Sequence, residues 1–459
     1  MPDSAAMTTA VHAARALLPD GWRSDVRVAF AAGKIAAVSP DSVERVGDER
    51  HAVLLPAIPN VHSHAFQRGM AGLAERRGAG PQSFWSWRAT MYRFALALTP
   101  EQAEAVAAQA YVEMLEAGFS RVGEFHYLHH GRDGRPYGDI AEMAARVVEA
   151  ARATGIGMTL LPVFYAHGNF GGVPAEPGQR RFLTKLDSYA RLLDASGALV
   201  ATLPGANLGV APHSLRAVAP RELAELVRLA GGMPIHMHVA EQMKEVEDCL
   251  AATGARPVAW LLDNAPVDAR WCLIHATHMT PDETARLAAT GAAAGLCPLT
   301  EANLGDGVFP ASAFVAAGGR FGFGTDSNIL IDARAELRSL EYAQRLTHRA
   351  RNDLAPEGGS TGRTLLDAAV SGGGRALGVG AGGCRVGASA DLMTLDVSQP
   401  CFAGRVDDTL LDSWIFASSG AAIDCVWVAG RKLVEGGRHI RRDAIAARFH
   451  DAMCELVAL

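Results

Sequence analysis

The sequence lacks several features that mark common classes of protein. Its seven cysteines are dispersed without CxxC spacing, which indicates reduced thiols in the cytoplasm rather than a disulfide framework. No basic run stands out and the net charge is −6, so a nucleic-acid partner is not expected. The first 22 residues contain no basic start followed by a long apolar core, which argues against a signal peptide or a membrane span.

The composition and the two ends of the chain indicate a large domain and a smaller one. The 459 residues are 49% hydrophobic and 20% charged, which is ordinary for a globular enzyme. Strand-turn-strand patterns occur near both ends, in DVRVAFAAGKIAAVS and in CVWVAGRKLVEGGRHI. We expect residues 1–54 and 385–459 to form one small β-sandwich domain. Two unrelated hairpins are the alternative.

The middle of the chain, residues 55–384, alternates between predicted strands and helices. Eight strands can be counted from the apolar run LLPAIPNV, mostly with a helix between neighbours. Such alternation predicts a parallel sheet, and eight units fit a (β/α)₈ TIM-like barrel, with a doubly wound open sheet as the alternative. No GxGxxG follows the first strand, so dinucleotide binding has no support.

Histidines and acidic residues follow the predicted carboxyl ends of the barrel strands. His62 and His64 lie two residues apart at the end of the first strand, so both imidazoles project from one face. Later strands end in further polar residues: His126, Tyr127, His213, Arg216, His236, His238, Glu241, His275, His278 and Asp326. Because the carboxyl ends of barrel strands surround one mouth, the sequence predicts a metal site there.

These motifs resemble the amidohydrolase superfamily, in which VHSH, IHMHVAEQ, LIHATH and GTDS occur in this order; GASADLMTLD resembles its returning β-sandwich segment. Within it, NVHSHAFQRGMAG, FHYLHH, APHSLRAV, HVAEQ and CPLTEANLGDG are similar to the formimidoylglutamate deiminases, over nearly the whole chain. The resemblance implies hydrolysis of N-formimidoyl-L-glutamate to N-formyl-L-glutamate and ammonia, in histidine breakdown. It also implies a homodimer.

The resemblance further implies one divalent ion, zinc, with four protein ligands: His62, His64, His238 and Asp326. The family pattern places the third histidine three residues before a glutamate, so His236 is expected to be a buried, hydrogen-bonded residue instead. Superfamily members with two metals use a lysine at the end of strand four, where this chain has APHS; the nearest, Lys185, lies in the preceding helical stretch. Iron or manganese could share such ligands.

Amidine hydrolysis needs an acid at the departing nitrogen, because an amide anion is too basic to leave. Glu241 is predicted to take a proton from the attacking water and pass it to that nitrogen. Asp326 can accept the second water proton, and His275 is expected to stabilise charge on the oxygen or orient the hydroxide. His278 is expected to be structural.

The substrate carries two carboxylates, for which arginine is the usual bidentate partner. Arg88 and Arg216 are the candidates, and the resemblance implies further contacts from Gln67, Tyr127 and His213. The segment CPLTEANLGDGVFP is expected to form a turn-rich loop that walls the site, with Glu301 and Asp306 outside the chemistry.

Two other functions remain open at this point. One is a related deaminase acting on a nucleobase or nucleoside, which would call for an apolar, stacking pocket. The other is a catalytically silent scaffold, which would be expected to have lost metal ligands.

Overall fold

A computed structural model describes residues 10–77, 83–418 and 422–457. Strands within these residues are numbered in chain order: β1 (Ala10–Leu18), β2 (Gly21–Ala31), β3 (Lys34–Ser39), β4 (Glu49–Pro56), β5 (Ile58–Ser63), β6 (Phe119–His126), β7 (Gly157–Phe164), β8 (Asn207–Leu208), β9 (Ala211–Pro212), β10 (Ile235–Val239), β11 (Trp271–His275), β12 (Ala293–Leu296), β13 (Arg320–Phe323), β14 (Leu392–Leu395), β15 (Ile423–Val428), β16 (Arg431–Glu435) and β17 (Arg438–His439).

The α-helices are numbered in the same way: α1 (Phe84–Ala97), α2 (Pro100–Glu116), α3 (Glu142–Thr154), α4 (Leu186–Ala201), α5 (Pro220–Ala230), α6 (Met243–Thr253), α7 (Pro257–Asn264), α8 (Pro281–Thr290), α9 (Pro298–Leu304), α10 (Ala311–Ala316), α11 (Ala333–His348), α12 (Thr361–Ala376), α13 (Asp408–Phe416) and α14 (Arg442–Val457). Short 3₁₀ turns occur at Ala65–Met70, Pro177–Gln179 and Pro400–Phe402.

Strands β5 to β13 form a closed parallel barrel. Their hydrogen-bonded order is β10-β11-β12-β13-β5-β6-β7-β8, and β9 continues β8 alongside β7. The ring closes where Val210 bridges Ile235 and Ser214 bridges His238, both in parallel orientation. Counting β8 and β9 as one interrupted strand gives eight strands, so the (β/α)₈ prediction is confirmed and the open-sheet alternative is wrong.

Helix α2 illustrates why these segments fold locally as they do. Thr99 caps its first turn: the Thr99 hydroxyl accepts a bond from the Gln102 backbone N–H at 3.1 Å, and the Gln102 side chain accepts one from the Thr99 N–H. Pro100 follows at the first helical position, and Gly118 with φ +93° ends the segment. The alanine-rich face between is buried, which positions the following strand β6 in the barrel.

The remaining strands form a second sheet from both ends of the chain. Its order is β17-β16-β15-β14-β4-β1-β2-β3, antiparallel except where β1 pairs with β4. Buried side chains from both ends meet on it, among them Val11, Val28, Leu392 and Trp427. A small β domain from both termini is therefore confirmed. The boundaries at 54 and 385 stay predictions, and residues 1–9, 419–421 and 458–459 lie outside the described part.

Two predicted segments differ from the structure. Lys185, expected within a helical stretch, lies directly before α4, which begins at Leu186. The residues before it are not helical, and the buried Arg181 guanidinium donates hydrogen bonds to the backbone carbonyls of Ala95, Leu98 and His130. The loop expected after β12 is wrong for Pro298–Leu304, which forms α9: Pro298 opens the helix and Gly305, with φ +71°, closes it. In the three described ranges, no helix has the length and apolar character needed to cross a membrane.

Candidate active site

The four predicted metal ligands meet at one point in the barrel mouth. The ligand atoms of His62, His64, His238 and Asp326 all lie within 4.8 Å of one another, and all four residues are buried. One Asp326 carboxylate oxygen lies 3.4 Å from His62 Nε2 and 3.3 Å from His64 Nε2. His62 Nε2 lies 3.1 Å from His238 Nε2.

The orientation of these imidazoles suits a metal ion. The Nδ1 atoms of His64 and His238 lie 2.9 and 3.0 Å from the backbone carbonyls of Phe125 and His213, which accept their protons. The Nε2 lone pairs therefore point towards the common centre. Burial lowers the pKa of His62, His64 and His238, which keeps them neutral. Three neutral imidazoles and one carboxylate are a normal donor set for zinc.

Irregular backbone brings these ligands into position. Asn60 pairs with Val122 and Ser63 with Glu124, so β5 advances three residues while β6 advances two. This bulge at the end of β5 turns His62 and His64 towards the centre. Asp326 and His275 have φ values of +43° and +67°, in the left-handed region that side chains rarely adopt.

The second HxH pair behaves differently from the first. His238 lies in the group with His62, His64 and Asp326, whereas His236 Nε2 donates to the Ala376 carbonyl at 2.7 Å and is fully buried. The expectation of a buried, hydrogen-bonded His236 agrees with this placement. His126 also lies away from the centre, in ring contact with His129. His278 is half-buried and packs close to Gly307.

Glu241, His275 and Asp326 form a charged group beside the metal ligands. His275 Nε2 lies 3.8 Å from Glu241 Oε1 and 3.8 Å from Asp326 Oδ2. Burial raises the pKa of Glu241 to about 7, against the opposing effect of His275. Burial disfavours charge on His275, but Glu241, Glu301 and Asp326 outweigh it and raise the His275 pKa to about 10. Glu241 can therefore change protonation state near neutral pH.

All five predicted substrate contacts line one cavity with the metal ligands: Gln67, Arg88, Tyr127, His213 and Arg216. Gln67 Nε2 donates to the Tyr127 hydroxyl at 2.6 Å, while Gln67 Oε1 is buried without a partner. His213 Nδ1 lies 3.0 Å from the Ser214 hydroxyl. The cavity thus offers hydrogen-bonding groups in addition to the metal ligands.

The two arginines contact aromatic rings instead of carboxylates. Arg88 Cζ lies 4.4 Å from the centre of the Trp85 ring and 5.4 Å from that of Tyr92, and Arg216 Cζ lies 5.8 Å from Trp85. Among the described residues, neither arginine has a carboxylate within ion-pair distance. Arg216 Nε is buried without a hydrogen-bond partner. Both guanidinium groups can therefore accept an anionic ligand.

The structure adds side chains that the sequence analysis did not select. Tyr165 lines the cavity directly after β7, so the strand-end rule that selected the other residues could have found it. Further cavity residues are Phe84, Trp87, Met91, Tyr92, Phe182 and Leu304. Glu301, expected to lie outside the chemistry, accepts a hydrogen bond from His275 Nδ1 at 3.2 Å. That contact depends on α9, which the sequence analysis did not predict.

Comparisons with known proteins agree with this geometry. The model of the amidohydrolase family matches residues 53–433, and a model described as the N-terminal domain of formimidoylglutamate deiminase HutF matches residues 8–52. A formimidoylglutamate deiminase from Pseudomonas aeruginosa is 49% identical, over 98% of this chain and 100% of that protein.

Solved structures extend the comparison. The crystal structure of an amidohydrolase from Brucella melitensis is 56% identical, with a TM-score of 0.95 over 98% of this chain and 99% of that one. An adenosine deaminase from Xanthomonas campestris, solved with bound zinc, has a TM-score of 0.79 over 98% of both chains at 23% identity, which shows the fold alone. The chain belongs to the amidohydrolase family and, within it, groups with the formimidoylglutamate deiminases.

Proposed function

We propose that the chain catalyses the metal-dependent hydrolysis of N-formimidoyl-L-glutamate to N-formyl-L-glutamate and ammonia, a step of histidine breakdown. The 49% identity to the Pseudomonas aeruginosa deiminase supports this activity. The observation that carries it is one cavity in which a three-histidine, one-aspartate group faces two arginines that, among the described residues, have no carboxylate within ion-pair distance. That arrangement matches a substrate with a hydrolysable carbon at one end and two carboxylates at the other.

The group formed by His62, His64, His238 and Asp326 is proposed to hold one zinc ion. The fit rests on the close approach of the four ligand atoms and on His64 and His238, whose Nδ1 atoms donate to backbone carbonyls and so leave Nε2 free to bind an ion. When bound, such an ion lowers the pKa of a water molecule and so supplies a nucleophile at neutral pH.

Glu241 is proposed to move the protons of the reaction. Water adds to the carbon of the formimidoyl group, which is protonated as an amidinium at neutral pH; one O–H bond of the water breaks, and the carboxylate of Glu241 receives that proton. The same carboxyl group then protonates the terminal nitrogen as its bond to carbon breaks, which releases ammonia. A pKa raised by burial to about 7 suits both halves of this transfer.

His275 and Asp326 are proposed to complete the reaction. His275 donates a hydrogen bond from Nε2 towards the oxygen that gains charge, while Glu301 accepts its Nδ1 proton. Asp326 serves as a ligand and as the acceptor for the second proton of the water. The product then leaves as a neutral formamide.

The opposite wall of the cavity is proposed to bind the glutamyl group. Arg88 and Arg216 each pair with a carboxylate, in bidentate geometry. Gln67, Tyr127 and His213 add hydrogen bonds to the formimidoyl nitrogen and the α-carboxylate. Since the cavity is otherwise lined by aromatic rings, these charged pairs form in a site of low polarity, where they are stronger than in water.

The direct experiment is a steady-state assay of ammonia release from N-formimidoyl-L-glutamate, with metal content measured on the same sample. We expect turnover, one zinc per chain, and loss of activity after chelation that added zinc restores. Turnover without bound metal would contradict the metal-dependent mechanism.

A deaminase acting on an aromatic base is the second candidate, because the rings of Tyr92, Tyr165 and Phe182 line the cavity and could stack on a base. A panel of nucleobases and nucleosides in the same assay separates the two. Turnover only on bases would remove the formimidoylglutamate assignment. A protein with no bound metal and no chelator-sensitive activity would favour the scaffold alternative.

We further propose that the protein acts in the cytoplasm as a homodimer, and that residues 1–54 with 385–459 and residues 55–384 are its two domains. The cysteines among the described residues are all unpaired, which supports a reducing compartment. Light scattering after size-exclusion chromatography tests the dimer: a monomeric mass would contradict it.

A further inference from the structure

The contact between the end of β5 and the end of β13, here called the β5–β13 seam, carries most of the metal ligands. His62 and His64 lie on its β5 side and Asp326 on its β13 side. Yet the strand pairing there is short, with one register pair, Phe323 with Asn60, and one further bridge between Ser63 and Asp326. Three backbone hydrogen bonds also cross the seam, from the His64 N–H to the Asp326 carbonyl and from the Thr325 and Asp326 N–H groups to the His62 carbonyl. Side chains that bridge the seam act together with these bonds to fix the distance between its two sides.

Asn328 spans this seam. Its side-chain Nδ2 lies 3.1 Å from each of three acceptors: the Ser63 hydroxyl, the His64 carbonyl and the Asp326 carbonyl. The first two belong to the β5 side and the third to the β13 side. One amide group thus contacts the backbone of two metal ligands at once.

The other end of the same amide is also fixed. Asn328 Oδ1 accepts a bond from the Thr325 hydroxyl at 2.6 Å, and that hydroxyl accepts one from Asn60 Nδ2 at 2.7 Å. Asn60 Oδ1 in turn accepts from the backbone N–H groups of His62 and Thr325, both at 3.2 Å. All of these side chains are buried, so water does not compete for the bonds.

The backbone at this position suits asparagine. Asn328 has φ +55°, a conformation that asparagine tolerates better than most residues. Its side chain is fully buried, and Asn328 is not one of the residues that line the substrate cavity. Its contacts are thus directed at the metal ligands and not at the substrate.

We propose that Asn328 is a positioning residue that sets the distance between the paired histidines of β5 and Asp326, and so determines the metal affinity of the site. The proposal rests on the metal centre of the proposed function. Partners that orient metal ligands typically contribute tenfold to a hundredfold in affinity.

The test is the zinc dissociation constant of metal-free protein, measured by competition with a chromophoric chelator. For Asn328→Gly, which accepts the positive φ, we expect a dissociation constant raised about tenfold to a hundredfold. The unfolding midpoint of the metal-free protein should stay within a few degrees of that of the parent. The matched control is Asn352→Gly, an exposed asparagine with φ +53°, whose zinc binding should equal that of the parent.

A second variant covers the case in which Asn328→Gly does not fold. Thr325→Val keeps the side-chain shape but removes the hydroxyl between Asn60 and Asn328, and should weaken zinc binding at least threefold. Zinc binding within twofold of the parent, in whichever of these variants folds, overturns the proposal. A parent chain that binds no zinc would instead refute the metal centre, so the two failures are distinguishable.

Discussion

The two HxH segments of the barrel, on β5 and on β10, have the same spacing and different outcomes. On β5 both histidines belong to the group of four candidate metal ligands, whereas on β10 only His238 does. The backbones differ: β5 is bulged against β6, while β10 runs in step with β11 from Ile235 to Val239. Residues two apart on a regular strand lie on one face about 6.6 Å apart, and the imidazole of His236 is held away from that of His238 by its bond to the Ala376 carbonyl.

The same comparison extends three residues further along each segment. His64 is followed by Gln67 and His238 by Glu241, and both of these side chains line the cavity. Gln67 is held by Tyr127 on the proposed substrate side, whereas Glu241 faces His275. The residue three positions after the last histidine is therefore a neutral hydrogen-bonding group in the β5 segment and a titratable acid in the β10 segment.

The largest expected effect is the difference in metal content and activity between variants of His238 and His236, the two histidines of β10. His238→Ala should lose the metal and reduce kcat/KM on the order of 10³-fold, since a bound metal contributes several kcal/mol. His236→Ala should keep one zinc per chain and lose mainly stability. Metal analysis and steady-state kinetics on both variants check this. Equal metal loss in the two variants would contradict the assignment of His238 as a metal ligand and of His236 as a structural residue.

The next effect concerns the acid that follows the second pair. Glu241→Gln should retain zinc and lose about 10²- to 10⁴-fold in kcat, because the proton carrier is removed. Glu245→Gln is the matched control: the two carboxylate oxygens of this buried neighbour accept bonds from the backbone N–H groups of Ala240 and Glu241, and glutamine keeps one of these two bonds. We expect less than a tenfold loss there. Normal turnover by Glu241→Gln would contradict the assignment.

A smaller effect is expected at the substrate side. Arg88→Ala should raise KM about tenfold to a hundredfold at unchanged zinc content, since a charge-assisted hydrogen bond contributes about 1.5–3 kcal/mol. Trp85→Leu should raise KM less, because it removes only the ring beneath the two guanidinium groups. Arg93→Ala, on the exposed side of the same helix, should leave KM unchanged. Loss of zinc in Arg88→Ala would contradict the separation between the metal-binding end and the substrate-binding end of the cavity.

The smallest expected effect concerns Glu124, which supports the bulge at the end of β5. Glu124 lies opposite Ser63 and accepts a bond from the Ala65 backbone N–H at 2.9 Å. Burial raises the pKa of Glu124 to about 8, above the ordinary value of 4.5. The folded protein therefore binds a proton at Glu124 more tightly than the unfolded chain does. The resulting gain in the free energy of unfolding is complete below pH 4.5 and is lost as the pH rises to about 8.

Glu124→Gln lacks this titration. Between pH 5 and pH 8, the unfolding midpoint temperature of the parent should fall by roughly 1 °C per pH unit relative to that of the variant. Calorimetry on the metal-free proteins measures the difference. A constant offset between the two across this range would show that Glu124 does not change its proton affinity on folding.

The barrel and most of the cavity were predictable from the sequence, for a physical reason. Period-two and period-3.6 apolar patterns identify strands and helices, and the carboxyl ends of parallel strands must surround one mouth. This placed His62, Asp326 and Arg216 near one another although they are far apart in the chain. The choice of His238 over His236 came from family resemblance, because spacing alone does not reveal a bulge.

Other features depend on contacts that no local pattern contains. Trp85 and Arg88 are three residues apart on α1, but Trp85 also contacts Arg216, from a distant part of the chain, only because α1 packs against the cavity. Glu301 reaches His275 only because α9 begins at Pro298, and a seven-residue helix has too short a pattern to predict. The bridging role of Asn328 arises from a turn that joins two distant strands.

The sheet that joins both ends of the chain also has a consequence for synthesis on the ribosome. Strand β4 pairs with β14, whose first residue, Leu392, follows Pro56 by more than three hundred residues. At 5–20 residues per second, β4 waits roughly 20–70 s for that partner. During this interval the edge of β4 is open to other nascent chains, so refolding yield and chaperone dependence should respond more to changes in this edge than to changes in the barrel.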